Sequence, residues 1–269
     1  MDIFLYSRMK LIIFIIAIIT ATNVNAKIVG ILTERFVSRD DVCRDCGFQN
    51  SDIYVLNSNI VNALKFSCAK HNIKFVSILN NDTDAKIYAK SLDGIVVPDY
   101  KMPINPKLYG KSGGKYEKSL QSHISQYDMD IVKESIEAKK PLLAINRGML
   151  LLNVIYGGTL IGDVSTKFKN HNLSIGEKHE VLIEKKSKLG SVVFDNKIDR
   201  LEVNSFHSQG IDNLGDGLIS SSKSIDGLTE SIESEGPEFV VGVQWNPEYL
   251  MSSYDVELFD KFCKIVANS

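Results

Sequence analysis

Asn146 stands at the centre of the segment best placed to do chemistry. The run Pro141-Leu142-Leu143-Ala144-Ile145-Asn146-Arg147-Gly148-Met149 reads as a buried strand that turns into a helix between small residues. That is the pattern of a nucleophile elbow: small, any, nucleophile, any, glycine. Such a turn lifts its central side chain above the sheet edge, at a helix N-terminus that stabilises a thiolate or an oxyanion. The central residue here is neither Cys nor Ser. A carboxamide does not ionise near neutral pH and its nitrogen lone pair is delocalised, so it neither attacks a carbonyl nor shuttles a proton. Elbow backbones take positive φ, which Asn tolerates better than most residues. A positive φ at Asn146, in a turn relaxed by the exchange, is therefore expected.

Four cysteines and five histidines are the other reactive candidates. Cys43 and Cys46 form a single C-x-x-C in a polar loop, a spacing open to a redox pair, half a zinc site or a local disulfide. No second C-x-x-C completes a zinc site, and no strand-to-helix setting frames a redox motif. A loop disulfide is the favoured reading. Cys68 and Cys263 fall in amphipathic helical patterns and are expected to be buried. His171, His179 and His207 lack H-x-x-x-H or H-E-x-x-H spacing, so they read as unrelated surface or pocket histidines, and neither a metal nor a cofactor is expected. Gly157-Gly158 is not followed by Lys-Ser/Thr, which excludes a phosphate loop and leaves a tight turn after a short helix.

These residues need a scaffold. The 269 residues are 44% hydrophobic and 24% charged with a formal net charge of -2, an ordinary globular balance with no basic field for nucleic acid. Residues 1–26 read as a signal peptide. Arg8 and Lys10 precede an apolar run from Leu11 to Ile19, and Val24-Asn25-Ala26 offers a cleavage site. Met9 is an alternative start. The run is shorter than the ~20 residues of a membrane span, so an exported protein, periplasmic or secreted and free of the membrane after cleavage, is expected. Residues 27–269 then form one domain.

Strands are predicted at Lys27–Leu32, Ile73–Leu79, Asp93–Val97 and Pro141–Ile145. Helices are predicted at Ile53–His71, Asp84–Ser91, His123–Lys140 and Met149–Ile155, and a polar loop runs from Leu32 to about Gln49. The alternation points to a doubly wound parallel sheet. Strands then follow at Val181–Glu184, Ser191–Phe194, Leu201–Asn204, Gly217–Ser222, Leu228–Glu233 and Phe239–Trp245, before a helix over Tyr254–Ala267.

Several motifs together resemble one family, the class I glutamine amidotransferase-like hydrolases, in their γ-glutamyl-γ-aminobutyrate hydrolase branch. Ala144-Ile145-Asn146-Arg147-Gly148-Met149-Leu150 is similar to that family's Gly-Ile-Cys-Arg-Gly-Met-Gln. Tyr156-Gly157-Gly158-Thr159-Leu160, His179-Glu180-Val181, Val203-Asn204-Ser205-Phe206-His207-Ser208-Gln209, Asp226-Gly227 with Glu230, and Gly242-Val243-Gln244-Trp245-Asn246-Pro247-Glu248 follow in the family's order. The resemblance implies an α/β, flavodoxin-like, doubly wound and mostly parallel sheet with an added antiparallel part.

It also implies a Cys–His–Glu triad at positions 146, 246 and 248, of which only Glu248 is present. The Pro-Gly-Gly loop that would supply an oxyanion donor reads Pro98-Asp99-Tyr100. Asp99, Tyr100, Arg147, His179, Asn204, Ser205 and His207 are the expected lining of the binding site. Arg147 offers a backbone N–H to an anion. Tyr100 either fills the pocket or points to solvent, and Glu248 is expected to cap the next segment or bond Asn246. The expected function is a catalytically degenerate γ-glutamyl hydrolase-like protein serving as a binding or regulatory module, for a small γ-glutamyl or amino-acid ligand or for a protein partner. The alternative is an active γ-glutamyl amide hydrolase with a relocated nucleophile or base, drawn from Ser205, Ser208 and His207.

Overall fold

The computed structural model describes residues 26–37, 52–79, 85–100, 103–112, 126–169, 171 and 177–269. Cys43, Cys46 and nearly all of the expected leader lie outside the described residues.

One nine-stranded sheet organises the chain. Its parallel half comprises β1 (Lys27–Leu32), β4 (Ile73–Ile78), β5 (Gly94–Val97), β6 (Leu142–Ile145) and β13 (Val240–Val243). Its antiparallel half comprises β8 (Lys178–Ile183), β9 (Arg200–Asn204), β11 (Leu218–Ser224) and β12 (Thr229–Ser234). The spatial order is β4-β1-β5-β6-β13-β12-β11-β8-β9. β6 pairs in parallel with both β5 and β13, and β12 runs antiparallel to β13. Two short pairs stand apart: β2 (Glu34–Val37) with β3 (Asp52–Val55), and β7 (Thr159–Ile161) with β10 (Gly210–Asn213).

The core strands are apolar on both faces, as a sheet covered on both sides requires. Along β6, Leu143 and Ile145 enter one core cluster while Leu142 and Ala144 enter the other. The first cluster is covered by α1 (Ser58–Ser67) and α5 (Ser253–Asn268), through Ile60, Leu64, Phe259 and Phe262. The second is covered by α2 (Ala85–Ser91), α3 (Gln126–Glu137) and α4 (Arg147–Ile155). Asn57 caps α1 by accepting from the Asn59 N–H at 2.9 Å, and Ser252 and Asp255 form a reciprocal capping box on α5. Cys68, just beyond α1, is joined by a disulfide to Cys263 in α5, and both are buried. Among the described residues, no helix is long and apolar enough to cross a membrane.

Three expectations are corrected. The helix expected over Ile53–His71 begins only at Ser58, because Asp52–Val55 pairs with Glu34–Val37 inside the stretch expected to be loop. The spacing of Val55 and Leu56 matched a helix by chance. Ser191–Phe194 is not a strand: Leu189–Val193 form one wide π-type turn, with Phe194 N–H donating to Leu189 O at 3.1 Å. Burial of Leu189, Val193 and Phe194 overrides their β propensity.

Candidate active site

Three neighbouring parallel strands end at the same level, which is where α/β sheets place their ligand sites. Val97 of β5 is in register with Ala144 of β6, and Ile145 of β6 with Val243 of β13. The residues just past these ends therefore meet: Asp99 after β5, Asn146 after β6, and Gln244 and Asn246 after β13. Gly148 is needed for this approach, because a Cβ there would lie 2.1 Å from Val97 O.

Asn146 has φ 47° and ψ -108°. The positive φ matches expectation, but the expected relaxation does not follow. The left-handed well that Asn favours lies near φ +57°, ψ +47°. Asn146 keeps the strained elbow geometry, and its side chain is held by several hydrogen bonds.

Asn146 Nδ2 donates to Asn246 Oδ1 at 2.7 Å and to Phe206 O at 3.1 Å, while its Oδ1 accepts from Gln244 Nε2 at 2.9 Å. Asn246 Nδ2 in turn donates to Glu248 Oε1 at 3.0 Å and to Asp99 Oδ2 at 3.1 Å. Asn204 clamps the Asn246 backbone, its Nδ2 on Asn246 O and its Oδ1 under Asn246 N–H, both at 2.9 Å. The chain 146–246–248 thus keeps the connectivity of a nucleophile–base–orienter triad, built from amides whose donors are already committed. Asn146 and Asn246 are 4% and 1% exposed.

Asp99 sits on the backbone N–H that follows the elbow residue. Its Oδ1 accepts from the Arg147 N–H at 3.4 Å. That backbone donor follows the elbow residue, and in hydrolases of this geometry it faces the developing oxyanion. A carboxylate oxygen of the protein itself stands there. Burial pushes the Asp99 carboxyl up to about 6, partly offset by the Asn246 hydrogen bond. Burial likewise pushes Glu248 up to about 7, again offset by Asn246. The Arg147 guanidinium, also buried, stacks over the Tyr100 ring at 5.2 Å. Tyr100 is packed in the core and does not point to solvent.

Of the expected lining residues, Asp99, Arg147 and Asn204 converge on Asn146 and Asn246, and Tyr100 backs Arg147. Ser205 is buried beside them in sequence. His179 and His207 do not belong to this set. His207 places Nδ1 3.1 Å from Gln209 O and Nε2 3.4 Å from His171 Nδ1, within the histidine cluster. Burial lowers its pKa from the ordinary histidine value. Of the two serines considered as a relocated nucleophile, Ser208 is solvent-exposed and Ser205 is buried. The histidines expected to be unrelated are instead neighbours: His171, His179 and His207 surround the fully buried Glu230.

Sequence reasoning missed Gln244 as a partner of Asn146. Its signal was a polar side chain inside the apolar run Phe239–Trp245. It also missed the histidine–glutamate cluster, whose members come from four separate segments.

A family profile described as Peptidase C26 matches residues 28–248. The chain belongs to the Peptidase C26 family. It is a class I glutamine amidotransferase-like, γ-glutamyl hydrolase-like protein. A glutamine amidotransferase-like protein of Rickettsia prowazekii is 29% identical over 82% of this chain and 92% of its own length. The γ-glutamyl-γ-aminobutyrate hydrolase of Escherichia coli K12 is 30% identical over 64% of this chain and 70% of its own length. Among solved structures, a glutamine amidotransferase from Thermotoga maritima superposes with a TM-score of 0.55 at 14% identity, over 92% of this chain and 100% of its own. A GMP synthase-type protein from Thermoplasma acidophilum gives a TM-score of 0.58 at 16% identity, over 91% of this chain and 96% of its own. Both likenesses concern the fold.

Proposed function

We propose that this protein is an exported member of the Peptidase C26 family that does not hydrolyse amides and serves as a binding or regulatory module. The observation that carries this reading is the closed amide chain Gln244–Asn146–Asn246–Glu248, with Asp99 on the Arg147 N–H. Neither amide supplies an attacking electron pair or a titrating proton. Loss of single triad members costs on the order of 10⁴ to 10⁶ in rate, the residual activity coming from the oxyanion hole and binding. Here the oxyanion donor is engaged as well. The motifs around the two exchanged positions still read cleanly, which supports retained use of the scaffold over decay. The ligand class favoured by the family relationship is a small γ-glutamyl compound or an amino acid, and a protein partner fits the same role.

Export is supported by the apolar leader and by the Cys68–Cys263 disulfide, a bond that persists in oxidising compartments. N-terminal sequencing of protein recovered from the culture medium or periplasm is expected to begin at Lys27; a retained leader would overturn this part.

The test of the reading is glutamate release from glutamine and γ-glutamyl-γ-aminobutyrate. Residues 27–269 are compared with Asn146→Cys/Asn246→His and with the same pair plus Asp99→Gly. The native protein and the double variant are expected to stay at background, and the triple variant to gain turnover as the Arg147 N–H is freed. Sustained native turnover, abolished by His207→Ala, would refute the reading.

A further inference from the structure

We propose that His171, His179 and Glu230, with His207 beside them, form a binding site for a divalent transition-metal ion, Zn²⁺ by its ligand chemistry. Glu230 Oε1 lies 3.4 Å from His171 Nδ1, 3.3 Å from His179 Nε2 and 3.6 Å from His207 Nε2. His171 Nδ1 and His207 Nε2 are 3.4 Å apart. Zinc–nitrogen and zinc–oxygen bonds of about 2.0–2.1 Å in a tetrahedron place neighbouring ligand atoms roughly 3.3–3.4 Å from each other. The Glu230–His171 and Glu230–His179 separations fall on that value. His171, His179 and Glu230 form the nucleus, their ligand atoms all within 4.8 Å of one another. His207 adjoins this nucleus through His171 and Glu230 and lies outside it.

The hydrogen bonds around the cluster set its chemistry. His171 Nε2 faces the Asp226 carboxylate at 3.2 Å, which holds the proton on that nitrogen and leaves Nδ1 as a lone pair. His207 Nδ1 donates to Gln209 O at 3.1 Å, which leaves Nε2 as a lone pair. Carboxylate–histidine and carbonyl–histidine pairs of this kind are the usual outer support of metal ligands. Both free lone pairs face Glu230, which is 0% exposed and has neither oxygen in a hydrogen bond of acceptable geometry. Neither ring nitrogen of His179 makes one. Lone pairs converging on one centre are misaligned with each other, so this pattern suits a shared cation.

The three ligands and the adjoining His207 come from the segment after Phe168, from β8, from β12 and from the loop after β9. An ion there would tie together β8 and β12 of the antiparallel half. The cluster borders an open groove of about 750 Å³ lined by Lys169, Lys178, Asp226, His171 and His179, which gives the ion a route in.

The test uses residues 27–269 stripped with a chelator and titrated with Zn²⁺ and with Co²⁺. One equivalent per chain is expected to bind. At a hundredfold excess over Kd the melting temperature should rise by about 5–10 °C. The Co²⁺ protein should show the strong visible bands of a tetrahedral site. Glu230→Gln is expected to weaken binding by more than about 100-fold, and Asp226→Asn, which touches no metal, by about 10-fold. His179→Gln, at the partly exposed corner, repeats the ligand test should Glu230→Gln fail to fold. Absence of stoichiometric binding, affinity unchanged in a folded ligand variant, or weak octahedral Co²⁺ bands would each overturn the site.

Discussion

Ionisation of Glu248 should destabilise the fold in a measurable, pH-dependent way. Its carboxyl titrates at about 7 in the folded protein against 4.5 ordinarily, because burial penalises the anion more than the Asn246 hydrogen bond favours it. Between those two values the folded state holds a proton that the unfolded chain has released. The folded state binds the excess proton, so stability falls as pH rises, by about 1.4 kcal/mol per pH unit and about 3 kcal/mol in all. Glu248→Gln removes the titration and keeps the Oε1 acceptor for Asn246. The new amide nitrogen takes the place of Oε2, which makes no hydrogen bond, and its own penalty is constant with pH. Urea unfolding of both proteins at pH 4.5, 6 and 8 isolates the effect. Asp255, pushed up by burial to about 6, repels the Glu248 anion, so part of the change passes through it. Asp99 shares the Asn246 amide with Glu248 and repels its anion, so part of the change passes through Asp99. The stability difference should move by about 2–3 kcal/mol in favour of Glu248→Gln between pH 4.5 and 8. A difference that does not vary with pH, or that moves the other way, would refute the assignment of a buried, proton-holding carboxyl to this site.

Two further outcomes follow from packing. Replacing Cys68 and Cys263 together by Ser, which opens a loop spanning 195 residues, should lower unfolding free energy by about 3–5 kcal/mol under oxidising conditions, while a loss below about 1 kcal/mol would show that the bond contributes little. Gly148→Ala drives a Cβ against Val97 O, and about 3 kcal/mol or more of stability should be lost; wild-type thermal melting would mean that α4 is not seated as described.

The alternation of apolar strands and helices in residues 27–155 was legible because both periods are local. β1 begins and ends at the expected residues, Lys27 and Leu32. The sequence also pointed to the elbow and to the two amides in place of reacting groups. The Cys68–Cys263 pairing was not legible, because both residues looked like ordinary helix-face residues and their proximity depends on α1 and α5 sharing one face of the sheet. The Glu230 cluster was hidden for the same reason: its ligands are spaced by folding, not by a motif. The strained ψ at Asn146 escaped too, since residue preference speaks to the sign of φ and the β6–β13 register fixes the rest.

The Cys68–Cys263 bond also decides how the molecule would respond to force. A pull applied at Lys27 and Ser269 runs through the bond and bypasses everything between the two cysteines. β5, β6 and the whole antiparallel half lie inside that shielded ring, whereas β1 and β4 fall on opposite sides of its boundary. Only the short outer segments could be drawn out, to a contour of about 160 Å. Reduction would release the ring, and the elbow and the histidine cluster would then bear load for the first time.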